Sequence, residues 1–351
     1  MLNPQIIVLL GQDGISNGAI YALVALSIIL VFSVTRVLLI PLGEFVAFSA
    51  LTMAAIQSGQ VAIGWLVLAL ALLGAAADGW DLWKRARRRQ RRVPLGRALL
   101  RLCTMPAYAV ALVILLAWLP LASLPMGVQA LLTLAAITPL GPLMYRLFFQ
   151  PVAHASGLLL MIIAIAVHVS LVGVGLLVFG PEGMRTEPFS EEGLELGMVY
   201  INSQTLWVLG LSCVAICALY LLSTRTLYGK ALRATAVNRM GAQLMGISPM
   251  LAGRISFGLA AFLCALSGIM IAPLTTLYYD SGFLISLKGF VGAIIGGLAS
   301  YPVAAAGAII VGLAEAFSTF WASNYKEVIV FTLILPFLLW RSLNSRQEEE
   351  H

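Results

Sequence analysis

Long apolar runs recur along this chain, separated by short stretches that carry most of its charge. Segments 14–35, 42–58, 61–77, 104–120, 125–145, 155–179, 203–223, 253–273, 285–299, 303–322 and 327–341 read as membrane spans. They number about eleven, because a helix needs roughly 17 to 25 apolar residues to cross the hydrocarbon core. The short alternating segments of a transmembrane barrel are not seen. The expected fold is an all-α polytopic membrane protein, a single domain over residues 1–351. The count falls to about eight if segments near Pro41 or Pro273 are broken or re-entrant. No basic start or Ala-x-Ala site precedes Gly14, so the first span is expected to be retained.

Composition agrees with this pattern. Of 351 residues, 61% are hydrophobic and only 10% charged, and the mean hydropathy is +0.98. A soluble domain of this length could not cover its surface with so little charge. Cys103, Cys213, Cys217 and Cys264 sit in or beside apolar runs without metal-ligand spacing, and are read as small packing residues.

Charge then orients the chain. A basic loop over 78–103 holds Lys84, Arg85, Arg87, Arg88, Arg89, Arg91, Arg92, Arg97 and Arg101, which the positive-inside rule places in the cytoplasm. Beside two spans its partner is the anionic bilayer surface, and no nucleic acid is implied. Counting spans outward from this anchor puts the N-terminus outside, and Arg341 and Arg346 of the C-terminal region inside. An acidic loop over 180–202 falls outside, with Glu182, Glu187, Glu191, Glu192 and Glu195 against one basic residue, Arg185.

The same count puts residues 224–252 in the cytoplasm. This polar, Ala-rich stretch reads as a projecting helix, flanked by Gly229 and by the stop signal from Gly246 to Pro249. At helical spacing Ala231, Ala234, Asn238, Gly241, Ala242 and Met245 share one side, and Leu232, Ala236, Met240 and Leu244 roughly the other, mixed with Arg233. A docking element and an ordinary loop helix both fit this pattern.

Three blocks carry a resemblance. Gly229-Lys-Ala-Leu-Arg-Ala-Thr-Ala-Val-Asn-Arg-Met-Gly-Ala-Gln-Leu-Met-Gly-Ile247 resembles the coupling loop of the LivH-like permease subunits of ABC importers for branched-chain amino acids. Leu287-Lys-Gly-Phe-Val-Gly-Ala-Ile-Ile-Gly-Gly-Leu-Ala-Ser-Tyr-Pro302, followed by Gly307, Gly312 and Glu315, is similar to that family's Gly-rich signature. Tyr325 to Phe331 resembles its last span. The likeness covers about residues 145 to 343; the stretch from about Ala76 to Pro139 looks longer than in that family, and the Gly43-Glu44 pair stands without the Asn and His that usually accompany it.

The resemblance implies the transmembrane-domain fold of an ABC importer in a bacterial inner membrane. It also implies a second permease subunit, two cytoplasmic ATPase subunits and an extracytoplasmic solute-binding protein. Coupling residues carried over are Gly229, Lys230, Arg233, Ala234, Ala236, Asn238, Ala242, Leu244 and Gly246. The solute expected is small and neutral, with branched-chain amino acids ahead of urea or short amides. A stand-alone carrier or channel is the alternative from another class.

Candidate path and gating residues are few. Glu44, Lys288 and Glu315 are charges inside apolar runs, which cost free energy unless paired or wetted. They read either as structural ion pairs or as part of a path, with Lys288 neutralising Glu44 or Glu315. Gly292 and Gly296, and Ala304, Ala308, Gly312 and Ala316, form small faces that let helices touch, and the turn from Gly296-Gly297 to Pro302 reads as packing or as a hinge. His154, His168 and His351 have no partner at catalytic spacing, and His168 is read as a hydrogen-bonded packing residue. Gly229-Lys230 is followed by Ala231, so no phosphate loop occurs. The chain is therefore not expected to be an enzyme or to hold a cofactor or metal.

Overall fold

The computed structural model describes residues 4–87, 95–153, 155–190, 193–196 and 199–339. Arg88, Arg89, Arg91 and Arg92 of the basic run, together with His154, Glu191, Glu192, Arg341, Arg346 and His351, lie outside the described residues. The helices are α1 (Pro4–Thr35), α2 (Leu42–Gln57), α3 (Ala62–Arg87), α4 (Leu95–Trp118), α5 (Met126–Ile137), α6 (Leu140–Met144) and α7 (Gly157–Phe179). A short antiparallel hairpin follows, β1 (Leu194–Leu196) with β2 (Val199–Ile201). The chain continues with α8 (Ser203–Arg225), α9 (Leu227–Val237), α10 (Arg239–Leu244), α11 (Pro249–Ile271), α12 (Gly282–Ile295), α13 (Tyr301–Ala322) and α14 (Lys326–Thr332).

Among the described residues seven stretches are long and apolar enough to cross a membrane, and three apolar helices are shorter. The eleven expected spans map onto these ten, because 303–322 and 327–341 fall in one run, Tyr301–Leu339, joined through a 3-10 turn at Ser323–Tyr325.

The core is built around α1, which packs against α13, α11 and α12. α2 is apolar on every side, and Leu42 to Ile56 is buried throughout, as expected for a helix enclosed by others. The 18-residue windows of α3, α7 and α8 are only 28% buried, so these helices form the periphery. α2 and α12 have 16 and 14 residues. At 1.5 Å per residue they span about 24 and 21 Å, short of the roughly 30 Å hydrocarbon thickness. Their N-terminal ends meet: a Cβ built on Gly43 would fall 1.8 Å from the Gly282 carbonyl oxygen. Residues 36–41, around Pro41, are thus non-helical between α1 and α2, and α12 begins where α2 begins.

The basic loop expected over 78–103 is helical at its start, since α3 runs on to Arg87. Three contacts at helical spacing explain the extension. Asp78 and Asp81 hold Arg146 at 2.5 and 2.6 Å, Trp80 stacks on Trp83 with centroids 5.0 Å apart, and the Lys84 ammonium lies 5.4 Å from the Trp80 ring.

The acidic loop is tied down by backbone. Met184 pairs with Leu277 in an isolated bridge, the Thr186 amide donates to the Ala272 carbonyl, and Arg185 donates to the Pro273 carbonyl. Gln57 and Gln204 accept from the amides of Glu187 and Phe189. The loop therefore packs on the ends of α2, α8 and α11.

Candidate functional site

The segment 224–252 forms two helices rather than one. Asn238 adopts an extended conformation (φ −146, ψ 102) and its side chain accepts from the Gly241 amide at 2.8 Å, so it ends α9 and caps α10. An Asn that can satisfy free amides at a helix start competes with helix continuation. The common face drawn through Ala231, Ala234, Asn238 and Met245 is therefore split at Asn238.

Local rules fix the remaining ends. Thr226 caps α9 by accepting from the Gly229 amide, and Ser248 with Pro249 starts α11. Gly246 (φ +81) closes α10, with the Ile247 amide reaching back to the Ala242 carbonyl at 2.9 Å.

Of the expected coupling residues, Lys230, Arg233, Ala234, Asn238, Leu244 and Gly246 are exposed, and Ala236 is half-buried. Gly229 and Ala242 instead face inward. A Cβ on Gly229 would fall 2.1 Å from the Leu222 carbonyl oxygen, so this glycine seats α9 on α8 and is no contact for a partner. Large apolar residues stand out on the same surface: Leu227, Val237, Leu244 and Met245 are each more than 80% exposed. The segment is fastened to the bundle through Arg36, whose guanidinium donates to the Ala236 carbonyl at 3.2 Å. Arg36 itself takes a left-handed conformation (φ 60) at the end of α1.

The buried charges separate into two groups. Lys288 pairs with Glu315 at 2.5 Å and with Glu327 at 3.4 Å. Tyr21 donates to the other oxygen of Glu315 at 2.6 Å. One ammonium thus faces two carboxylates, with a phenol sharing the load on Glu315, and the cluster joins α1, α12, α13 and α14. Glu44 lies apart. It is fully buried, 3.1 Å from His168 Nδ1, and neither of its oxygens has a hydrogen-bond partner among the described residues. His168 Nδ1 therefore lies beside a carboxylate without a hydrogen bond among the described residues. Tyr21 and Glu327 were invisible as cluster members, since a Tyr in an apolar run gives no charge signal and Glu327 belongs to the next helix.

The small faces are helix contacts. Gly292 and Gly296 press against Ala308 and Ala304, joining α12 to α13, while Gly312 meets Gly14 and Gly18 of α1. The turn between α12 and α13 is tight, with Gly297 and Leu298 both in the left-handed region (φ 66 and 56), and Pro302 is exposed at its end. The Tyr301 hydroxyl is in hydrogen-bonding reach of Ser223 and Ser33, which brings the turn next to the end of α8.

Residues 99–338 match the family described as branched-chain amino acid transport system / permease component. The chain belongs to this family. The permease is 26% identical over 204 residues to the high-affinity branched-chain amino acid transport system permease protein LivH of Salmonella typhimurium, covering 55% of this chain and 65% of that protein. It is 29% identical over 145 residues to the permease protein BraD of Pseudomonas aeruginosa, covering 41% and 47%. A probable LivH of Methanocaldococcus jannaschii is 30% identical over 129 residues. No solved structure matches. The family match takes in residues 224–252, Lys288, Glu315 and Glu327, whereas Tyr21 and Glu44 lie before it. The permease is accordingly a polytopic helical membrane protein.

Proposed function

We propose that the permease is the translocation subunit of an ATP-driven importer in the inner membrane, working on a small neutral solute such as a branched-chain or other hydrophobic amino acid. The observation that carries this reading is the α9–α10 surface. Large apolar side chains there stand among Lys230, Arg233 and Asn238, on a polar segment outside the apolar helices, and such a surface needs a protein cover. In this reading two ATPase subunits grip it, a second permease completes the path, and a binding protein delivers solute to the opposite face, which includes the acidic loop. The permease performs no covalent chemistry. Urea and short amides fit the same uncharged character and stay as alternatives.

Ala234→Trp tests the docking surface, because Ala234 is exposed and its enlargement leaves the helix core untouched. Reconstituted complexes should keep their thermal stability and lose solute-stimulated ATP hydrolysis. Normal coupling in that variant would remove the role assigned to α9 and α10.

The orientation has its own test. In a background without native cysteines, Gln243→Cys should react with an impermeant maleimide only after the inner face is opened, and Glu182→Cys from outside. Labelling of both positions from one side refutes the topology. The solute is read most directly by a thermal-shift screen on the partner binding protein, where tight binding of sugars or phosphate with none for amino acids or amides would reject the assignment.

A further inference from the structure

We propose that a cavity beside the coupling segment is a receptor for a carboxylate carried by the ATPase subunit, with Arg239 as its anchor. This rests on the docking reading above and adds the chemistry of the partner. The cavity, about 320 Å³, lies between α10 with its closing turn and the chain at Gln150–Ala153, and Arg239, Gln243, Ser248 and Met250 line it.

Arg239 is held but not neutralised. One guanidinium nitrogen donates to the Ala153 carbonyl at 3.3 Å, while Nε is buried without a hydrogen-bond partner among the described residues. Gln150 cannot answer it with its carbonyl, since Arg254 already occupies that oxygen from two nitrogens at 3.2 and 3.0 Å. An uncompensated donor beside an open cavity is a place where an incoming acceptor gains a full charge-assisted bond.

The wider charge pattern points the same way. Residues 224–254 include Arg225, Lys230, Arg233, Arg239 and Arg254 and no Asp or Glu. Among the described residues, Arg225, Lys230, Arg233 and Arg239 form no ion pair with a carboxylate. A partner that covers this surface must bring negative charge, or four cations would be desolvated together.

Apolar exposure favours a protein over a lipid headgroup. Val237, Met240, Leu244 and Met245, on α9, α10 and its closing turn and next in sequence to the lining residues, are 87%, 68%, 83% and 83% exposed. Met and Arg among large exposed apolar side chains are the composition of a protein interface centre; the exposed Arg225, Lys230 and Arg233 would also attract anionic lipid, which the test below separates.

The test uses the full permease and the ATPase subunit that co-purifies with it, in detergent free of anionic lipid. Arg239→Glu should weaken ATPase binding by about thirty-fold or more and Arg239→Gln by about tenfold, with a shallower dependence on salt, and Arg239→Lys should recover part of the loss. An Asp or Glu of the ATPase changed to Arg should restore binding to Arg239→Glu. Should Arg239→Glu bind normally while Ala234→Trp fails, docking stands and the carboxylate receptor is wrong. If instead the Arg239 variants lose affinity only for phosphatidylglycerol vesicles and keep ATPase binding, the cavity serves lipid and the proposal is overturned. A wild-type permease that binds no ATPase sinks the underlying reading itself.

Discussion

Lys288→Met is expected to destabilise the permease by about 3–5 kcal/mol, because it leaves the carboxylates of Glu315 and Glu327 facing each other in an apolar setting. Lys288 is 6% exposed and Glu315 9%, so water reaches Glu315 poorly when the ammonium is lost, while the Glu327 side chain, one-third exposed, is the better solvated of the two. The double variant Lys288→Met, Glu315→Gln should be milder than Lys288→Met, since it removes the carboxylate in closest contact. Glu44→Gln should give no such rescue, because Glu44 stands beside His168 instead. The measurement is thermal unfolding in detergent. A double variant as damaged as the single, or a rescue by Glu44→Gln, would break the assignment of partners.

Gly312→Val should cost about 3 kcal/mol or more through a steric clash with main chain. A Cβ at Gly312 would lie 2.3 Å from the Gly18 nitrogen and 2.4 Å from the Gly14 carbonyl oxygen. Backbone atoms cannot rotate aside as a side chain can, so α13 must move off α1, and helices in lipid have no strong hydrophobic drive to close the gap again. Gly210→Val is the control, since nothing lies within 4 Å of a Cβ there. Equal stability of the two variants would refute the α1–α13 contact.

How far the sequence carried these arguments differs by element. That a short helical element occupies 224–252 was legible, because an abrupt rise in polarity with Gly and Pro at its end leaves little choice. Its break was written there too: Asn238 is a capping residue, but the Ala-rich run on both sides keeps helical periodicity and hides it. Charge cost announced that Lys288 needed an acid, yet cost is blind to direction. Glu44 and Glu315 were equal candidates until folding set Lys288 one helix contact from Glu315 and left Glu44 against α7. The small faces of α12 and α13 were visible as spacing. Which helix each face meets was not, since α13 divides its own face between α12 at Ala304 and Ala308 and α1 at Gly312.

The meeting of Gly43 with Gly282 bears on how the protein is made. A chain is synthesised from its N-terminus, and α12 emerges long after α2 has left the ribosome. Until then α2 is too short to cross the bilayer unaided, and it carries Glu44 without the surroundings that finally enclose it. The early helices therefore have no complete resting place of their own, and insertion of the permease finishes only when the last third of the chain arrives. A truncation after α8 should leave α2 exposed to the quality-control proteases of the membrane, however well α1 and α3 have inserted.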